Sequence, residues 1–221
     1  MSLDYLVLLP ILIPLTGAMV AVLIRKHHRL QAGLSLVSML LSFGSSIGLL
    51  VAVVSGGEPL VYQLGGWRVP FGVLLVGDSL AVIFVLMTQL VMVMGIVYAL
   101  GSQDTVVRYP TFYPLFLALG TGLTGAMLTG DLFTMFVFAE LLVVSGTVLV
   151  ALSDHRYGPE AAYKYFYLSL LASTFMLLAI GCLYVSYGTL NMADMAARIA
   201  AEGPRLLLLP GVVFLLLSFL I

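Results

Sequence analysis

The stretch that decides the fold is DLFTMFVFAELLVVSGTVLVAL, residues 131–152, in which Glu140 is the only charged side chain after Asp131. A helix needs roughly 20 apolar residues to cross the hydrocarbon core of a bilayer, which is about 30 Å thick. The stretch therefore predicts a transmembrane helix that begins near Asp131. Glu140 lies about two and a half turns into this helix, which places a carboxyl group near the middle of the membrane.

The composition of the whole chain indicates the same class of protein. Of its 221 residues, 62% are hydrophobic and only 9% are charged, whereas soluble domains carry about 25% charged residues. The net charge of -1 argues against nucleic-acid binding, which requires a basic surface. The single cysteine, Cys182, excludes an internal disulfide, and no Cys/His group has the spacing of metal ligands. We therefore expect an integral membrane protein without a metal or other cofactor.

Hydropathy predicts an all-α bundle of about seven transmembrane helices, because helices satisfy their own backbone hydrogen bonds in lipid. We treat residues 1–221 as a single membrane domain. The predicted spans are residues 5–24, 30–54, 74–100, 111–129, 132–152, 162–187 and 206–221.

The loop charges predict that the N-terminus lies outside the cell. Arg25, Lys26 and Arg29 follow the first span, and Arg108 and Arg156 fall in the later loops of the same side, whereas positive charge is typical of cytoplasmic loops. The first span has an acidic flank before it and basic residues after it, the reverse of a signal peptide. The loops on the other side of the membrane hold Arg68, Arg198 and Arg205. We expect a multi-pass protein of the plasma or inner membrane.

Two connections are expected to carry structure of their own at the outer face. Residues 55–73 combine turn residues with alternating apolar ones, which predicts a hairpin with Tyr62 and Trp67 as interfacial anchors. Residues 189–202 place apolar residues at helical spacing opposite Asp194, Arg198 and Glu202, which predicts an amphipathic surface helix.

The string Gly120-Thr-Gly122-Leu-Thr-Gly125 matches a dinucleotide-binding fingerprint only as letters. It lies within an apolar span and follows no strand, so we interpret it as small residues at a close helix contact. Thr88 and Gln89 lie mid-span and are expected to hydrogen-bond to a neighbouring helix.

Glu140 is the main candidate for chemistry. An ionised carboxylate near the bilayer centre costs about 2.5–3.5 kcal/mol, so such a group is paired, hydrated or protonated. Burial favours the neutral carboxyl, which allows a midplane glutamate to gain and release a proton near neutral pH. The alternative is a permanently neutral glutamate that makes one interhelical hydrogen bond.

Lys164 is the second candidate, near the cytoplasmic end of the sixth span. It either couples electrostatically to Glu140 over an axial offset of roughly 12 Å, or extends to the interface beside Glu160. Asp78 and Asp131 are interpreted mainly as helix starts, with a possible supporting place in a proton pathway. Four hydroxyl residues either line a polar chain or bond to their own helices: Ser145, Ser169, Ser173 and Thr174.

At these residues the chain resembles a known family. The segments 130–140, 65–79, 160–166 and 188–196 resemble motifs of the antiporter-like proton-conducting membrane subunits. These are the D subunit of Mrp-type cation/proton antiporters, the distal membrane subunits of respiratory complex I and their counterparts in membrane-bound hydrogenases. Among these subunits, the Mrp D-type members are the most similar in the segment Gly188-Thr-Leu-Asn-Met-Ala-Asp194-Met-Ala.

The resemblance implies a larger fold with inverted five-helix repeats, of which this chain holds an incomplete first repeat. It implies that Glu140 is the family's fifth-helix glutamate and Lys164 its sixth-helix lysine, with a further lysine expected just beyond Ile221. We expect a subunit that translocates H⁺, or exchanges Na⁺ for H⁺, within a multi-subunit complex. Another membrane subunit is then expected to supply the remaining helices. The alternative is a truncated scaffold subunit that does not conduct; no catalytic centre of an enzyme is predicted.

Overall fold

The computed structural model describes residues 3–67, 72–152 and 157–221. Helices make up most of the described chain, and a short antiparallel hairpin, β1 (Leu60–Gln63) and β2 (Leu74–Gly77), lies between the second and third helices. The charges Arg68 and Arg156 fall outside the described residues. The helices are α1 (Leu9–Leu23), α2 (His28–Gly56), α3 (Ser79–Gly101), α4 (Phe112–Leu128), α5 (Leu132–Ala151), α6 (Gly158–Tyr187), α7 (Met192–Glu202) and α8 (Leu208–Leu220).

The described part of the chain contains four helices that are long and apolar enough to cross a membrane, namely α2, α3, α5 and α6. The helices α1, α4 and α8 are also apolar but have only 10–17 residues. These seven elements overlap the seven predicted spans, although α2, α3 and α6 extend one to four residues beyond them, and the amphipathic helix α7 falls in the predicted outer segment. That all seven cross the bilayer, with the N-terminus outside, stays a prediction.

The third predicted span began too early. Residues 74–77 form β2 rather than helix, and α3 begins at Ser79. Asp78 has an extended backbone, and its Oδ1 accepts a hydrogen bond from the Ala81 amide at 2.7 Å, which is the geometry of an N-cap. A run of four apolar residues fits a buried strand as well as a helix, so periodicity alone did not locate the boundary.

A proline inside α1 explains two of the polar side chains in the core of the bundle, Ser42 and Gln89. Pro14 has no amide hydrogen, so the carbonyl of Pro10 lacks its helical donor. Ser42 Oγ donates to that carbonyl at 2.9 Å, and Gln89 Nε2 donates to it at 3.2 Å. Thr88 Oγ1 donates to Met127 Sδ at 3.6 Å. The predicted interhelical bonds of Thr88 and Gln89 are therefore confirmed, and they join α3 to α1 and α4. The bond from Ser42 joins α2 to α1.

The helices α4 and α5 approach each other closely at Gly122. A side-chain Cβ built on this glycine would lie 2.9 Å from the carbonyl oxygen of Phe138 and 2.9 Å from the amide nitrogen of Leu142. Only a glycine fits between the two backbones, which confirms the close-packing interpretation of the glycine-rich string. The contact also fixes the rotation of α5, since the face that carries Phe138 and Leu142 lies against α4.

One end of the bundle is held together by backbone hydrogen bonds across three connections. The Gly130 amide donates to Leu74 O of β2 at 2.9 Å, and the Leu132 amide donates to Leu190 O at 3.0 Å. Asp131 Oδ1 caps α5 by accepting from the Thr134 amide at 2.8 Å. The start of α5 is thus held between the hairpin and the segment that leads into α7.

Two arginines stabilise the junction between α6 and α7. Arg198 Nη1 donates to Tyr187 O at 2.9 Å, and Arg205 Nη1 donates to Ser186 O at 2.5 Å, so cations meet the unpaired carbonyls at the C-terminus of α6. Arg198 also pairs with Asp194 at 3.2 Å. A hydrogen bond from Thr189, followed by the Arg198 guanidinium, lowers the pKa of the Asp194 carboxyl.

Candidate proton-transfer site

A cavity of about 250 Å³ lies between α5, α6 and α8, and Glu140 is part of its wall. Because Phe138 and Leu142 face α4, the neighbouring positions of α5 turn toward α6 and α8. The side of the cavity formed by α5 consists of Phe136, Ala139, Glu140 and Val143.

Glu140 is half-buried and is the charged residue of this cavity. Its carboxylate makes no hydrogen bond or ion pair with any side chain in the described ranges 3–67, 72–152 and 157–221. At a rise of about 1.5 Å per residue it lies roughly 12 Å from the start of α5. Glu140 thus lies well inside an apolar helix, beside open volume and without a fixed partner among the described residues; that it exchanges a proton stays a prediction.

Hydroxyl groups from α6 and α8 face the same cavity. Tyr165, Ser169 and Ser173 are spaced four residues apart on α6 and line it together, and Ser218 contributes from α8. Ser218 donates to Leu215 O at 2.7 Å, whereas the hydroxyls of Ser169 and Ser173 bond to nothing in the described chain. The structure therefore brings Ser169 and Ser173 to the cavity of Glu140, as a polar-chain role requires. That they conduct protons stays a prediction.

Sequence reasoning missed Tyr165 and Ser218. The spacing of Tyr165 with Ser169 and Ser173 was available as a signal, since residues at i, i+4 and i+8 share a helix face. For Ser218 no local signal existed, because its position depends on how α8 packs against α6 around Gly211, whose Cβ would lie 3.1 Å from Leu183.

Lys164 does not line the cavity of Glu140. Its Nζ lies 2.5 Å from Glu160 Oε1, and its side chain is 69% exposed. It borders a separate surface recess with Tyr163, Tyr167 and Leu168. Leu168 also lines the Glu140 cavity, so the two spaces share one lining residue. The direct pair with Glu160 agrees with the interfacial interpretation of Lys164, and its electrostatic coupling to Glu140 stays a prediction.

The remaining candidates have structural partners elsewhere. Ser145 donates to Leu141 O at 2.5 Å, and Thr174 donates to Leu170 O at 2.8 Å, so both bond to their own helices. Neither lines the Glu140 cavity. Asp78 and Asp131 cap α3 and α5 at the hairpin end of the bundle. Their part in a proton pathway stays a prediction.

The fold and the site together define a multi-pass membrane protein with a carboxyl group on the wall of a cavity between α5, α6 and α8. Residues 129–221, which contain α5, α6 and α8, match the family described as NADH:quinone oxidoreductase/Mrp antiporter, transmembrane. The expected resemblance to antiporter-like membrane subunits is thereby confirmed.

Particular relatives support this relationship. The chain is 37% identical over 197 residues to the D subunit of the Na⁺/H⁺ antiporter of Alkalihalophilus pseudofirmus, an alignment that covers 88% of this chain and 39% of that protein. A chain of the Mrp complex from Dietzia sp. DQ12-45-1b superposes with a TM-score of 0.85 at 25% identity, over 99% of this chain and 40% of that one.

A third relative comes from a different kind of complex. A chain of the membrane-bound sulfane sulfur reductase, an archaeal respiratory membrane complex, also gives a TM-score of 0.85, with 27% identity over 96% of this chain and 43% of that one. The chain thus spans about two fifths of the length of these relatives.

Proposed function

We propose that this chain is part of a membrane subunit that translocates protons, in a cation/proton antiporter or a related respiratory complex, with Glu140 as the proton-carrying group. The observation that carries the proposal is the half-buried carboxylate of Glu140 on a cavity wall, without a partner in the described chain and opposite Ser169 and Ser173. The names of the relatives support a cation/proton antiporter-type subunit.

In this proposal the proton moves by local exchange. Water in the cavity delivers a proton to Glu140 and removes it along the hydroxyl groups of Tyr165, Ser169 and Ser173. Lys164 is offset from Glu140 by roughly 7.5 Å along the axes of α5 and α6, and in this proposal its positive charge couples electrostatically to the proton-carrying group.

The energy for directed transport comes from partners. Moving one charge across a membrane potential of 100 mV requires about 2.3 kcal/mol, and no described side chain provides a driving reaction. We infer that other membrane subunits assemble with this chain, and that remaining antiporter-like helices lie next to α5, α6 and α8. The bacterial relatives support the plasma or inner membrane as the location.

The test is Glu140→Gln in the native complex, measured as cation/proton exchange in everted membrane vesicles. We expect the exchange rate to fall about a hundredfold, the lower limit for a positioned proton-transfer group, while assembly of the complex is retained. Glu140→Asp keeps the carboxyl group and is expected to retain more activity than Glu140→Gln.

Glu58→Gln is the matched control, because Glu58 is an exposed acid between α2 and β1 and the chemical change is identical. It is expected to leave the exchange rate unchanged. Normal exchange by Glu140→Gln in an assembled complex contradicts the proposal and supports the non-conducting scaffold instead.

A further inference from the structure

A second cavity, of about 680 Å³, lies where α1 ends and α4 begins. It shares no lining residue with the cavity of Glu140. Its volume is within the range of about 300–1,000 Å³ that is typical of small-molecule sites. It therefore requires its own explanation.

The cavity combines apolar walls with cations at one end. Its apolar walls include Val22, Leu115 and Val148, and Arg25 and Lys26 also line it. Both cations are exposed, and in the described chain neither one makes a hydrogen bond or an ion pair. No acidic side chain is among the described residues of the lining. The cavity thus favours a ligand that is apolar at one end and anionic at the other.

The start of α4 adds to the positive end of the cavity. Thr111 is the N-cap of α4 and lines the cavity, yet its side chain makes no capping bond. The N-terminus of a 17-residue helix carries a partial positive charge. The Phe112 amide already donates to Tyr109 O at 3.0 Å, and Pro114 has no amide hydrogen, so the helix end contributes mainly through its dipole. The helix end, Arg25 and Lys26 therefore form one anion-attracting rim.

The depth of the rim matches the position of a lipid headgroup. Arg25 and Lys26 follow directly on the apolar helix α1, which ends at Leu23, so they lie where the bundle meets the membrane surface. Basic pockets between transmembrane helices are suited to anionic headgroups. A free phosphate would leave the apolar walls unfilled, and an apolar segment of another protein would leave both cations unpaired.

We propose that this cavity binds one anionic phospholipid, with its phosphate at Arg25, Lys26 and Thr111 and an acyl chain against Val22, Leu115 and Val148. Such a lipid fills the gap between α1, α4 and α5 and neutralises two unpaired cations. The proposal does not depend on proton transfer at Glu140.

The test uses the native complex, delipidated in detergent and labelled with a diazirine-bearing phosphatidylglycerol. Crosslinks are mapped by peptide mass spectrometry. We expect crosslinks at residues 109–115 that are displaced by unlabelled dioleoyl phosphatidylglycerol, but not by dioleoyl phosphatidylcholine or inorganic phosphate. The double variant Arg25→Gln/Lys26→Gln should lower labelling at least about tenfold, because both cations that attract the anionic headgroup are removed.

Arg29→Gln is the matched control, since Arg29 belongs to the same basic cluster but lines a different cavity, next to His28 and Arg108. It should retain the labelling. Leu115→Trp fills the apolar wall, keeps both cations, and should reduce labelling. Equal loss in Arg29→Gln, equal competition by phosphatidylcholine or phosphate, or no labelling at 109–115 in the wild-type complex would each overturn the proposal.

Discussion

At the scale of single residues, the acids of this chain differ in whether their charge is satisfied. Asp78 and Asp131 accept amide hydrogen bonds as helix caps, and Glu160 pairs with Lys164. Glu140 has none of these partners in the described chain, although it lies deepest in an apolar helix. An unsatisfied carboxyl at membrane depth is expensive, so its place on a cavity wall is the feature that calls for a function.

Lys164 provides a prediction at this scale. An axial offset of roughly 7.5 Å between helices whose axes lie about 8–10 Å apart separates Glu140 and Lys164 by roughly 12 Å. Two unit charges at about that distance interact by roughly 0.3–1.4 kcal/mol for effective dielectric constants between about 80 and 20. If Lys164 is coupled to Glu140, Lys164→Gln should change the exchange rate in vesicles about two- to tenfold. The change should be smaller than that of Glu140→Gln.

Glu160→Gln is the control for Lys164, since it removes the partner of the ion pair but leaves the ammonium group in place. It should preserve exchange. If Lys164→Gln behaves like the wild type, then Lys164 serves only at the interface and the coupling is absent.

At the scale of elements, a polar bond network compensates for the proline within α1. The buried side chains Ser42 and Gln89 replace the donor that Pro14 cannot supply. An unpaired buried carbonyl costs about 1–3 kcal/mol, and lipid offers it no water. The buried Ser42 of α2 and Gln89 of α3 are thus explained by a missing hydrogen bond in α1.

A double-mutant cycle tests this compensation. Ser42→Ala combined with Gln89→Leu should lower the free energy of unfolding in mixed micelles by about 1–3 kcal/mol. In a Pro14→Ala background, the same two substitutions should lower the free energy of unfolding by much less. The reason is that the amide of an alanine at position 14 restores the helical donor to the Pro10 carbonyl. Ser35→Ala is the control, since Ser35 is buried and bonds only to Gln31 O of its own helix. Equal costs in both backgrounds would refute the compensation.

At the scale of the whole molecule, the contact between α4 and α5 decides where Glu140 points. The helices α1–α4 surround two apolar clusters, and a third cluster lies among α5, α6, α7 and α8. Gly122 joins the two groups of helices by letting the backbones of α4 and α5 touch. The same contact turns Glu140 away from α4 and toward the cavity.

This contact yields a prediction for the assembled bundle. Gly122→Ala should lower the unfolding temperature of the purified protein, because the new methyl group would lie 2.9 Å from backbone atoms that cannot move independently. Gly181→Ala in α6 is the matched control, since its Cβ meets nothing within 4 Å. It should be neutral or stabilising by up to about 1 kcal/mol. Equal unfolding temperatures for both variants would contradict the role of Gly122.

The sequence predicted those features that depend on neighbouring residues. Apolar length and charge spacing were enough to locate the helices, the amphipathic helix α7 and the position of Glu140 along α5, because hydropathy and helical periodicity act within one element. The outer hairpin followed from its turn residues, although the apolar residues of β2 were assigned to α3. Asp78 marks the start of α3 as its N-cap, but a capping aspartate does not show whether the residues before it form a strand or a helix.

Only the tertiary structure decided which side chains meet. Tyr165 and Ser218 join Glu140 because of the rotation of α6 and the packing of α8, and Lys164 stays outside the same cavity. The sequence predicted that Gln89 bonds to another helix. It did not predict that the acceptor is the carbonyl of Pro10, which Pro14 leaves without its helical donor. Helix rotation and crossing are set by contacts between distant residues such as Gly122 and Phe138, which no local pattern encodes.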